Sequence, residues 1–290
     1  MKERYVDVFT DFGFKKIFGE ESSKTILKGF LRELLPEKGR IKTIKFLKTE
    51  HLGNAQADRK AIFDLYCENE KGEKFIVELQ KAKQTFFKDR SLYYATFAIQ
   101  EQAVVGDWNF KLNAVYTISI MDFVFDNDDN EVITDVQLVK TRNGSVFNDK
   151  LQFIYIEMPK FNKTENELKT KLDKWLFVLK NLYLLDDIPT KIKEKNLLHL
   201  FEKAEIAGYT PQQQMAYQDS LKYARDMKNV VDTAASEGIE KGIELGIEKG
   251  IGLGENKAKL VIATVLKNKG TSIKEISEIT GLSEEEINKI

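Results

Sequence analysis

The sequence predicts an α/β fold in which a helix, three strands, a second helix and a further strand form the core, with an added helical region and a helical tail behind it. Three observations carry this. Between Lys60 and Gln80, KAIFDLYCENEKGEKFIVELQ alternates apolar and polar residues on both sides of a polar turn containing Gly72, the pattern of a β-hairpin. From Ala82 to Val105 the apolar period lengthens from two to about 3.6, which predicts a long helix whose buried side is supplied by Phe86, Leu92, Tyr93, Phe97 and Val104. After Gly106, KLNAVYTISIMDF supplies a strongly apolar strand between residues 113 and 121.

The remaining elements follow in order. Asp11 precedes FGFKKIFG, where Phe14, Ile17 and Phe18 share one helical face and Gly19 ends it. In SSKTILKGFLRELLP, Leu27, Phe30, Leu31 and Leu34 form an apolar stripe, with Ser22 or Ser23 as cap and Pro36 as terminator. IKTIKFLKT reads as a strand, EVITDVQLVK and LQFIYIEMPK as two more that extend the sheet or add a layer, and residues 165–229 as mostly helical. Glycines then recur every fourth residue from Gly238 to Gly254; a marginal linker is favoured over a small-residue packing surface, because each interior glycine costs about 1 kcal/mol. The tail ends in a helix and in TSIKEISEITGLSEEEINKI, two helices around a tight turn. The expected domains are a core at residues 1–160, a helical extension at 161–232, a helical glycine-repeat linker at 233–255 and a small helical module at 256–290.

Composition excludes several classes. A chain of 290 residues with 42% apolar content can bury one substantial core and a smaller appendage. Its 45 basic and 46 acidic side chains nearly cancel, so any surface for a polyanion must be local. The single cysteine, Cys67, rules out an internal disulfide framework and a cysteine-rich zinc site, and suits a reducing, cytoplasmic setting. No apolar run is long enough for a membrane span, and the N-terminus lacks a signal-peptide pattern.

The chemistry concentrates in the hairpin. Strand alternation turns Phe63, Leu65, Phe75, Val77 and Leu79 to one face and Asp64, Glu78 and Gln80 to the other, and the two acids lie nearly symmetrically about the turn. Paired carboxylates repel unless a divalent cation joins them, and oxygen ligands point to Mg²⁺ or Mn²⁺, which retain waters for phosphodiester hydrolysis. Gln80 is suited to orient the attacking water but brings no charge. The plainer alternative is that these residues decorate the wet face of a sheet.

Asp64, followed after a hairpin by Glu78-Leu79-Gln80, resembles the D, then (D/E)-X-K signature of PD-(D/E)XK nucleases, whose core has the same helix, three strands, helix, strand order as that of a restriction endonuclease. The segments DFGFKKIFGEE, FLRELLP, FDLYCENEKGEKFIVELQ and KDRSLYYATFAIQEQAVVGDWNFKLNAVYTISI resemble more specifically the Rpn family of recombination-promoting nucleases and transposases, over roughly residues 7–160. The resemblance implies a metal-dependent DNA endonuclease linked to recombination or mobile DNA, with Asp64 and Glu78 as metal ligands and Gln80 where lysine usually stands. A nuclease fold that binds DNA or assembles partners without cleaving it is the competing expectation.

Further candidates each have a bland counterpart. Lys83 sits where it can reach the phosphate, or is a solvated lysine; Arg90 and Tyr94, four apart on the long helix, suit phosphate and base contacts, or an ordinary amphipathic face. Lys24, Lys28, Arg32, Lys38, Arg40, Lys42, Lys45 and Lys48 form the best local track for a DNA backbone. Glu33 and Asp58 are candidate additional acids, while DNDDNE at 126–131 breaks the EF-hand pattern and reads as a turn. His51 has no partner of metal-ligand spacing, and the acidic start of the last helix argues against groove reading. The glycine-repeat tail is a candidate surface for homo-oligomer formation.

Overall fold

A computed structural model describes residues 3–36, 41–51, 61–125 and 130–290. Thr10 caps the first helix, α1 (Asp11–Phe14), through its hydroxyl, which accepts from the Gly13 N–H. The chain continues through a wider turn, Lys15–Gly19, to α2 (Lys24–Leu34). Phe14, Ile17, Phe18, Ile26, Leu27, Phe30 and Leu31 are almost entirely buried, as their helical spacing requires. Neither serine caps α2: the Ser23 hydroxyl donates instead to the Lys16 carbonyl, tying α2 to the preceding turn.

Six strands form one mixed sheet. They are β1 (Ile44–Phe46), β4 (Leu65–Asn69), β5 (Lys74–Gln80), β6 (Val115–Met121), β7 (Ile133–Val139) and β8 (Val146–Glu157), in the order β1-β4-β5-β6-β8-β7. Two short strands, β2 (Glu50–His51) and β3 (Ala61–Ile62), pair separately. The hairpin between β4 and β5 is antiparallel, β5-β6 and β6-β8 are parallel, and β7 extends the sheet as an edge strand antiparallel to β8. At the β4-β5 turn the Asn69 side-chain oxygen accepts from the N–H groups of Lys71 and Glu73. Gly72 has a φ of 75°, a conformation that a side chain would strain, so the turn holds one register.

One face of the sheet, carrying Leu65, Cys67, Phe75, Val77, Tyr116, Ile118, Ile154 and Ile156, packs on the N-terminal helices and on α4 (Lys171–Asn181) and α5 (Lys195–Ala204). Phe30 sits at the centre of this layer, with ring centroids 5.5 Å from Phe18 and 5.7 Å from Trp175. Phe30→Ala is expected to cost about 3–5 kcal/mol of unfolding free energy in a denaturant titration, since the cavity would be walled by sheet and helices that cannot close on it.

The opposite face is covered by α3 (Phe87–Gln100), which is shorter than the periodicity suggests and presents a different side. Phe86, Leu92, Tyr93 and Val104, expected inside, are exposed, whereas Phe87, Ser91, Ala95 and Ala98 are buried. The sheet beneath is already filled by Ile76, Val115, Met121, Phe153 and Tyr155, so the helix approaches with its small residues.

The chain divides into two compact units, 1–224 and 225–290. One helix, α6 (Pro211–Asn268), includes the whole glycine repeat. In the second unit α7 (Ile273–Thr280) and α8 (Glu284–Asn288) pack through Ile276, Leu282 and Ile287 on Ala263. No helix among the described residues is long and apolar enough to cross a membrane.

Candidate active site

The α3-facing side of the sheet carries the predicted acids. On β5, Phe75 and Val77 enter the main core while Ile76 packs under α3, so alternation turns Glu78 and Gln80 toward α3 as well. Asp64 reaches the same place by another route. It is not in a strand: it lies at a bend between β3 and β4, one position beyond the last ladder pair, Leu65 opposite Val77. The bend also breaks the expected alternation, because Phe63 packs with Tyr66 and Ile76 on the α3 side and not with Leu65. The Asp64 carboxylate accepts the Leu79 N–H at 2.8 Å, and so caps the strand that carries Glu78.

The pair is electrostatically strained. Glu78 is buried, and desolvation, reinforced by the charge of Asp64, pushes its carboxyl up to about 8. Burial also raises Asp64, opposed by the Leu79 hydrogen bond and reinforced by the field of Asp11 at the start of α1. Asp11, which the periodicity marks only as a helix boundary, is therefore an additional acid acting on Asp64; its ion pair with Lys15 at 2.8 Å leaves it partly compensated. Sequence carried a faint signal for it, a carboxylate in the first turn of a helix followed four residues later by a lysine.

Around the acids, Gln80 donates from its amide nitrogen to Glu78 Oε2 at 3.1 Å and accepts from the Arg90 guanidinium at 2.5 Å. The same guanidinium nitrogen lies 3.8 Å from Glu78 Oε2. Arg90 is held over the rings of Phe87 and Tyr94, and Tyr94 meets Phe63 edge to face at 5.5 Å. Ser119, directly across from Glu78 on β6, and Thr117 have buried hydroxyls that no other described residue hydrogen-bonds. Alternation along β6, where Val115 and Met121 pack under α3, puts both on the face of Glu78.

Other sequence candidates fall elsewhere. Lys83 donates to the Val124 and Phe125 carbonyls at 3.5 and 3.1 Å, turned to the loop after β6. Lys42 and Lys45 are exposed, but register places Lys45 opposite Glu68, four residues along β4 from Asp64 and so about 13 Å away at 3.3 Å per residue. Lys28 donates to the Lys42 carbonyl and Lys24 pairs with Glu21, so the basic track is partly used within the fold. Arg40, Lys38, Asp58, Asp126 and Asp128 lie outside the described residues, as does the side chain of His51. Glu33 lies on the helix that packs against α4 and α5, and the additional acidic field at Asp64 comes from Asp11.

A buried Glu78 and a half-buried Asp64 whose charge raises the proton affinity of Glu78, with an amide and a guanidinium at hand, suit a hard divalent cation bound through few protein ligands. Among the described residues no group of three or more His, Cys, Asp or Glu side chains converges on one point, so water or substrate oxygens would complete the shell. A mixed α/β sheet with an acid and an acid-X-amide triplet on one face is the arrangement that the nuclease-like signature in the sequence leads one to expect. The sequence pattern of the PD-(D/E)XK nuclease family transposases matches residues 8–234, well over half of the chain, and the protein belongs to that family. No curated protein and no solved structure matches the chain.

Proposed function

We propose that the protein is a divalent-metal-dependent endonuclease that hydrolyses DNA phosphodiester bonds, with Asp64 and Glu78 as metal ligands. The observation that supports this most is the burial of Glu78 beside Asp64: desolvation first and the charge of Asp64 second drive its carboxyl up to about 8, and a bound cation would offset both penalties on the anion. Bound Mg²⁺ or Mn²⁺ would supply a water of lowered pKa and neutralise charge on the phosphate. Asp64, held by the Leu79 N–H, and Glu78, held by the Gln80 amide, keep their oxygens oriented for that ion. In the net reaction a water oxygen bonds to phosphorus, one P–O ester bond breaks, and the leaving oxygen ends protonated. The family suggests that such cleavage serves recombination or the processing of mobile DNA.

The test is plasmid nicking by the full chain. Cleavage is expected with Mg²⁺ or Mn²⁺, none with a chelator, and none by Asp64→Ala under any of these conditions. Equal cleavage by the wild type and by Asp64→Ala would reject the assignment. A neutral residue at position 80 favours a second reading, a DNA-binding module without chemistry; retention of plasmid by a wild type that cuts nothing would establish it over the first.

A further inference from the structure

The nuclease reading leaves one electrostatic gap: Gln80 is neutral where a cation would stabilise the charge that grows on the phosphate. The hairpin does not fill it, since Lys83 is turned to the Val124 and Phe125 carbonyls. The one cation that the described contacts bring to both Glu78 and Gln80 comes from the facing helix. Building on that reading, we propose that Arg90 supplies the site's positive charge to the reacting phosphate, and that Gln80 is a positioning residue that holds the Arg90 guanidinium in place.

Four features of the geometry carry this. The guanidinium is already within the acid cluster, 2.5 Å from Gln80 Oε1 and 3.8 Å from Glu78 Oε2. It is fixed on its other side by Gln84 at 2.5 Å and stacked by Phe87 and Tyr94, so its orientation does not depend on a ligand. Its Nε is buried and has no hydrogen-bond partner in the described structure. Nε and one terminal nitrogen form the edge that grips two phosphate oxygens, and here that edge has one donor free and one donor resting on Gln80. A buried guanidinium donor left unsatisfied costs free energy, which a phosphate oxygen would recover.

The arrangement also gives a physical reason for the amide at position 80. A lysine there would set an ammonium against the guanidinium of Arg90, while glutamine accepts from Arg90 and donates to Glu78 at once. The positive charge has moved from the strand to the helix, and the residue on the strand has become its bracket.

Charge exchange between the two positions tests this in the full chain, with rates measured on plasmid and on a short duplex in Mn²⁺. Arg90→Gln is expected to lower kcat by about a hundredfold or more with a smaller change in KM, the signature of a group acting in the transition state. Gln80→Lys alone is expected to lower activity, because it repels Arg90. The double variant Gln80→Lys/Arg90→Gln is expected to regain at least tenfold over Arg90→Gln, a recovery that a purely structural role for Arg90 would not produce. Thermal unfolding of each variant separates lost folding from lost chemistry, and Arg90→Lys, which keeps charge and stem, is expected to retain more activity than Arg90→Gln. A faster Gln80→Lys enzyme, absent recovery in the double variant, or a change in KM alone would overturn the assignment. Cleavage by the wild type that is lost in Asp64→Ala but intact in Arg90→Gln would overturn only the role of Arg90; a wild type that never cuts would overturn the nuclease reading and this one with it.

Discussion

Glu78→Gln is expected to reduce metal-dependent DNA cleavage by about a thousandfold or more while leaving the protein folded and, above neutral pH without metal, more stable than the wild type. The substitution conserves shape and mimics the protonated acid, so the packing under α3 and the contact with Gln80 can persist. What disappears is the anionic ligand. Two measurements bracket the result: nicking rates in Mn²⁺, and calorimetric titration of Mn²⁺ into the free protein, where the affinity should fall with the rate. A structural carboxylate would behave in the opposite way, since its removal would destabilise the fold and leave any cleavage in the surviving molecules unchanged. Full activity in Glu78→Gln would remove Glu78 from the metal site.

The second large effect is a dependence on pH whose sign is set by the same carboxyl. Glu78 titrates near its usual value of 4.5 when unfolded and at about 8 when folded without metal, because burial and the charge of Asp64 disfavour its anion and Arg90 only partly offsets them. Between these values the folded chain holds a proton that the unfolded chain has released. Stability of the metal-free protein therefore falls as pH rises through this window, by at most about 1.4 kcal/mol per unit, and flattens above pH 8. Metal binding must expel the same proton, so the apparent Mn²⁺ affinity should rise toward tenfold per unit up to about pH 8 and level off beyond it. Thermal unfolding in chelator at pH 6, 7 and 8, with and without added Mn²⁺, reads both halves. The decline in chelator should vanish in Glu78→Gln; an unchanged decline in that variant would assign it to other groups. Tyr94, raised by burial and by Glu78, titrates too high to contribute in this range.

Much of this site can be read in the amino-acid order, for identifiable reasons. The turn chemistry of Asn69 and Gly72 makes the β4-β5 hairpin close where the pattern places it, and once the register is set, Glu78 and Gln80 share a face. Their separation by two residues is a local property of any strand. The symmetry of the hairpin about its turn also points to Asp64, yet this residue stands at a bend, and its carboxylate is held by a hydrogen bond from the Leu79 N–H. Periodicity does not select the buried side of α3, because two faces of that helix are apolar. Only the bulk already present on the sheet selects the one with Ser91, Ala95 and Ala98.

What the sequence alone determined is whatever depends on neighbours in the chain: the mixed helix and strand content, the hairpin and its turn, the apolar faces of the N-terminal helices, and the acid-X-amide triplet at Glu78–Gln80. Tertiary structure decided the contacts made across long gaps. Packing of α3 over the sheet brings Arg90 to Gln80 and Glu78, and the fold of the N-terminal helix brings the field of Asp11 to Asp64. The difference is physical: periodicity records which way a side chain points from its own backbone, whereas the partner it meets there, and the proton affinity that results, depend on what the rest of the chain places opposite.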